Sequence, residues 1–163
     1  PNGDFARTMV RQFFFDTYHL LFLDGLAAGC DTEIAGIAAK VAKEVRYHLR
    51  HSRGWVIRLG DGTEESHARM QKALDDCAPC VPELFETDGT YLELEDQNIV
   101  PDIQLLKAEW ECQMNQALGE ATLQMPEITH AMSGGRQGLH SEHLGYLLAE
   151  MQFLQRAYPG ASW

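Results

Sequence analysis

From Phe5 to about Ala28 the chain is apolar nearly all the way round a helical wheel, with FFF at 13–15 and LLFL at 20–23. A helix without a polar face is normally buried on every side, within a core or beneath a partner. The sequence does read as helix after helix. GCDT breaks the first helix, and Asp31 or Thr32 can cap a second that runs to about Leu59. GDGT ends that one, with Thr63 as cap of a third helix through Leu74 to about Phe85. The acidic stretch ETDGTYLELEDQNIV predicts a loop, with a short hairpin around Asp88 and Gly89. Pro101 suits the first turn of a fourth helix carrying Ile103, Leu106, Trp110 and Met114 on one side. MPEITHAMSGGRQG is a second long loop, and Ser141 caps a last helix with Leu144, Leu147, Leu148, Met151 and Tyr158 at helical spacing. The expectation is an all-α fold in one domain spanning residues 1–163, a length sufficient for one sizeable core.

Composition narrows the function classes. Apolar residues make up 45% and charged residues 23%, as in an ordinary globular chain. A formal charge of −11 argues against nucleic-acid binding, which needs a clustered basic surface. No apolar run approaches the roughly 20 residues that span a bilayer. With no recognisable signal peptide, a cytoplasmic protein is expected. Four cysteines, Cys30, Cys77, Cys80 and Cys112, are irregularly spaced, which disfavours a disulfide scaffold. CAPC matches C-x-x-C, but it follows a helix and contains Pro79, whereas the redox motif opens a helix after a strand. A zinc site would need two further ligands at motif spacing. Reduced structural thiols are the expectation, with a thiol redox pair at Cys77 and Cys80 as the alternative.

The segment KVAKEVRYHLRHSRGW concentrates the remaining chemistry. At about 100° per residue, Ile34, Ile37, Ala38, Val41, Val45 and Val56 gather on one side, His48 falls in that sector, and Glu44 and His51 fall on its rim. The spacing therefore predicts that Glu44 and His48 face a bundle interior. Di-iron bundles use Glu-x-x-His on each of two helices and a Glu from each of two others. Read from Glu44, the histidine position holds Tyr47; read from His48, the glutamate position holds Val45. The first helix offers Asp16, His19 and Asp24 where a Glu is wanted. His140, Glu142 and His143 form a second cluster near the last helix, where such residues more often cap or make ordinary hydrogen bonds. Lys40, Lys43, Arg46, Arg50, Arg53 and Arg58, six of the 13 basic residues, are concentrated in this one helix. They form either a solvated face paired with Glu64, Glu65, Asp75 and Asp76, or a patch that docks an acidic partner or a phosphorylated ligand.

Three blocks then carry a resemblance: PNGDFA…RQFFFD, AAKVAKEVRYHLRHSRGWVIRLGDGTEES and GLHSEHLGYLLAEMQFLQRAYPGASW. They resemble the PaaC subunits of bacterial 1,2-phenylacetyl-CoA epoxidase, from the first residue to the last. The resemblance implies a ferritin-like helical bundle in phenylacetate degradation. It implies a non-catalytic structural subunit that carries no cofactor of its own. Its implied partner is a PaaA-like catalytic subunit holding the di-iron site. Pro1 falls inside the family's sequence, so two N-terminal helices are expected to be missing, leaving the second half of the bundle plus C-terminal helices. The first helix is then expected to be exposed unless the chain self-associates. Arg46, Arg50, His140 and His143 are the candidate partner contacts, and Glu44 and His48 are degenerate metal positions. The alternative function is an active di-iron oxygenase chain using Glu44 and His48.

Overall fold

The computed structural model describes residues 3–162. It falls into two compact units, residues 1–132 and 133–163. The first contains α1 (Phe5–Ala27), α2 (Thr32–Gly60), α3 (Glu64–Cys77), α4 (Gly89–Asp96) and α5 (Ile103–Glu120). The second contains α6 (Glu142–Met151) and α7 (Phe153–Ala157). Among the described residues there is no strand, and the all-α expectation holds. None of the described helices is long and apolar enough to cross a membrane.

Helix starts follow local chemistry, because the first backbone N–H groups of a helix need acceptors. The Asp4 carboxylate accepts from the N–H of Arg7 at 3.0 Å, and Asp31 from Glu33 and Ile34, both at 3.0 Å. Thr63 accepts from Ser66 at 3.2 Å, and Asp102 from Gln104 at 2.7 Å. Several boundaries differ from expectation. The third helix stops at Cys77, not near Phe85, because Pro79 and Pro82 lack N–H donors and the chain tightens into 3-10 turns at Ala78–Cys80 and Pro82–Phe85. The expected hairpin is the helix α4, nucleated when Asp88 accepts from the N–H of Tyr91 at 2.8 Å. The fourth predicted helix, α5, starts at Ile103, so Pro101 precedes the Asp102 cap and lies outside the first turn. The last predicted helix is broken at Gln152 into α6 and α7, and Ser141 occupies the cap position without a side-chain capping bond.

In the first unit the core forms where α1, α2, α3 and α5 meet. Val10, Phe13, Phe14, Val56, Met70, Leu74, Trp110, Met114 and Ala117 are buried together. The Trp110 indole N–H donates to the Phe14 carbonyl at 3.0 Å, which satisfies its one polar atom. Buried Thr17 is likewise satisfied, donating to the Phe13 carbonyl at 2.8 Å. In the second unit α6 and α7 contribute no buried residue, and Tyr146, Leu147, Met151 and Phe153 are exposed.

The end of α2 approaches the turn after α5 so closely that a Cβ on Gly60 would lie 2.7 Å from the Ala121 carbonyl oxygen. A Cβ on Gly54, in the same helix, would meet nothing within 4 Å. Gly60→Ala is therefore expected to destabilise by about 1–3 kcal/mol through overpacking. Gly54→Ala is expected to stabilise by about 0.5–1 kcal/mol through helix propensity. Urea unfolding of the two variants should move the midpoint in opposite directions.

Candidate functional site

The pairing of α1 with α2 decides where the candidate residues of the second helix point. Small residues let the two backbones approach: Ala38, Ala42 and Val45 of α2 bury against Leu23 of α1. Further along, Asp16 and Ser52 are both only 1% exposed. The Ser52 hydroxyl donates to Asp16 Oδ2 at 2.8 Å, and the Gln12 amide donates to Oδ1 at 2.6 Å. Each oxygen of the buried carboxyl group has a donor, which is what makes its burial tolerable. Asp16 is visible in the sequence only as a weak ligand candidate; its partner stands 36 residues away, and no local spacing announces the pair.

Glu44 and His48 do not enter the core made by these helices, which corrects the inward orientation read from the wheel. Their side chains are 78% and 48% exposed, with Oε1 and Nε2 4.0 Å apart. The wheel locates an apolar sector, but α1 covers only its far edge, the line through Ala38, Ala42, Val45, Ser52 and Val56. The remainder of the sector is left open, so Ile34, Ile37 and Val41 are exposed too. Phe5 and Phe15 of α1 are also exposed. Phe5 meets Trp55 edge-on with ring centroids 5.4 Å apart. Phe15 lies 5.2 Å from the His19 ring. The outcome is a face, shared by α1 and α2, of exposed apolar side chains interspersed with His19, Glu44, His48 and His51.

His19 is partly buried on this face. Burial lowers its pKa; the Asp16 carboxylate opposes that, and His48 reinforces it. Among the described residues, no three His, Cys, Asp or Glu side chains are grouped so as to hold a metal ion. The residues present therefore do not fit a di-iron centre, which requires six side-chain ligands from four helices.

The basic residues of α2 are partly spent within the chain, on partners other than those expected. Arg46 pairs with Asp24 at 3.1 Å and Arg53 with Glu120 at 2.8 Å. Arg50 lies over the Tyr47 ring at 5.2 Å, and Arg58 over Trp55 at 5.1 Å. Of the acids expected as partners, Glu65 pairs with Arg69 and Asp76 with Lys72, each one turn away on α3. Arg46 and Arg50 belong to the first unit, whereas His140 and His143 belong to the second, where both are exposed. All four cysteines are unpaired thiols. Burial raises the pKa of Cys77, against the opposing charge of Arg7, and burial also raises that of Cys80, with Glu83 adding to it. Both thiols stay protonated near neutrality, the opposite of what an attacking thiolate needs.

These features define an all-α bundle protein whose first two helices present an open, ligand-poor apolar face. The family model for the phenylacetic acid catabolic proteins (PaaA_PaaC) matches residues 1–163, and the chain belongs to that family. It is similar to the C subunit of 1,2-phenylacetyl-CoA epoxidase from Escherichia coli (strain K12), with 45% identity over 163 residues. The match covers 100% of this chain and 66% of that relative's length.

Removing the Ser52 hydroxyl takes one donor from a buried carboxyl group. Ser52→Ala is expected to cost about 1.5–3 kcal/mol, measured by urea unfolding near neutral pH. The depressed His19 pKa has its own signature. The unfolded chain takes up that proton first, at about pH 6.5, so the contribution is complete above that value and declines as pH falls through it. A His19→Gln variant should lose less stability than the wild type on going from about pH 7 to about pH 5. An NMR titration should place His19 below the ordinary histidine value.

Proposed function

We propose that this chain is a non-catalytic structural subunit of a phenylacetyl-CoA epoxidase, bracing a di-iron catalytic subunit in aerobic phenylacetate catabolism in the cytoplasm. The observation that carries the reading is the α1/α2 face. It has the apolar character of a surface made to be covered, with Phe15, Ile37 and Val41 exposed on adjacent helices. Glu44 and His48 on it belong to an incomplete ligand set, since Tyr47 and Val45 stand in the sequence where a histidine or a glutamate would complete Glu-x-x-His. The 45% identity to the C subunit of an epoxidase supports the substrate class and the assembly. The di-iron centre and the oxygen chemistry then belong to a PaaA-like partner. In such an assembly this chain contributes area and rigidity. Arg46, Arg50, His140 and His143 are the candidate contacts at the partner surface. Self-association through the same face is a further proposed mode, separable by sedimentation of the isolated chain.

Reconstitution tests the reading. The catalytic subunit with its reductase should lose at least ten-fold in turnover of phenylacetyl-CoA when this chain is omitted. Full turnover without it would sink the bracing role. Metal analysis of this chain, prepared separately with ferrous iron, is expected to return well below one iron per chain. About two irons per chain, the content of a di-iron bundle, would instead favour an active oxygenase built on Glu44 and His48.

A further inference from the structure

A second feature of the first unit borders the α1/α2 face at Phe15. A cavity of about 520 Å³ opens between the first half of α1, the end of α3 and the two 3-10 turns. That volume is within the range of small-molecule sites. Phe14, Phe15, Val81 and Leu84 supply an apolar lining, and the protonated thiols of Cys77 and Cys80 add neutral surface. Arg7 and Arg11, one helical turn apart on α1, bring two guanidinium groups to the rim.

Charge decides what such a cavity suits. The lining contains one acid, Asp76, and both its oxygens are engaged: Lys72 Nζ lies 2.9 Å from Oδ1, and Arg7 lies 3.6 Å from Oδ2. Arg11 has no hydrogen-bond or ion-pair partner among the described residues. The cavity thus holds one uncompensated guanidinium beside an apolar lining, in a chain whose net charge is −11. A guanidinium recognises a carboxylate by paired, charge-assisted hydrogen bonds. One surplus charge matches one carboxylate and is too few for a polyphosphate. A second cavity, beside α5, lacks this imbalance, since its Lys107 is paired with Glu111 at 3.8 Å.

We propose that this cavity is a binding site for an apolar monocarboxylate, with the carboxylate on Arg11 and the hydrocarbon body against Phe14, Val81 and Leu84. The cavity touches the α1/α2 seam at Gln12, whose amide is already given to Asp16, and needs no metal. Its ligand class is a medium-chain fatty acid.

Isothermal titration of the chain with octanoate tests this, with octanamide as the neutral match in shape. Saturable one-to-one binding of octanoate is expected, with octanamide at least ten-fold weaker. Arg11 is exposed, so Arg11→Gln should keep the wild-type circular dichroism spectrum and bind octanoate at least ten-fold less well, while Arg11→Lys recovers part of the loss. Octanoate should also slow alkylation of Cys80, which lines the same cavity. Equal binding of octanoate and octanamide, unchanged binding by Arg11→Gln, or no saturable binding of octanoate would each overturn the proposal. The last result would leave the cavity as a socket for a protein side chain.

Discussion

The seam between α1 and α2 is the constraint on which the other features depend. Alanines 38 and 42 permit close approach, and the Ser52 hydroxyl, reaching Asp16 at 2.8 Å, holds the register. A buried carboxyl group tolerates no slippage, because a shift along the helix would strand it among Phe13, Phe14 and Val56 without a donor. With α1 so held, one of its sides is committed to the core shared with α3 and α5. That side includes Phe14, whose carbonyl receives the Trp110 indole N–H. Its remaining sides are then open by geometry, and both features with functional promise, the apolar face and the arginine-rimmed cavity, lie on them.

The helical class is legible because it rests on local signals: 3.6-residue periodicity and caps such as Asp31 and Thr63 act within one turn. Expectation and structure part where a local signal has two physical outcomes. Asp88-Gly89 serves a hairpin turn and a helix N-cap equally well, and the contact that selects the helix is non-local. The Tyr91 hydroxyl donates to the Pro101 carbonyl at 2.8 Å. Leu74, Cys77, Val81 and Leu84 continue an apolar period across Pro79 and Pro82, which extends the expected third helix too far. Proline's missing donor outweighs that period and turns the chain into 3-10 geometry.

The candidate site is legible in kind and not in orientation. A wheel gives the angular spread of apolar residues, but not which part of it a neighbour covers. Here the sector from Ile37 through Val41 to Val56 is wider than one partner helix can bury, and α1 takes only the edge lined with small side chains. Asp16 illustrates the second limit. In sequence it is one more acid near a histidine; its role depends on Ser52 and Gln12, and side-chain hydrogen bonds between helices leave no periodic trace.

The structure also separates the two frames in which the broken motif can be read. Tyr47, the misfit counted from Glu44, is turned outward beneath the Arg50 guanidinium, far from the seam. A histidine there would point away from α1. Val45, the misfit counted from His48, is 4% exposed and lies in the seam itself. His48 is close enough to His19 to disfavour the charged form of His19. Asp16 and His19 are themselves three residues apart on α1, so the frame ending in His48 is the one that faces a matching pair. Its glutamate position is occupied by a valine, and the nearby acid on α1, Asp16, has given both oxygens to Ser52 and Gln12. An acid brought to position 45 would be buried against apolar neighbours and beside a carboxyl group whose donors are already assigned. The seam is thus organised to hold two helices together, and a ligand shell could form there only by dismantling the hydrogen bonds that set its register.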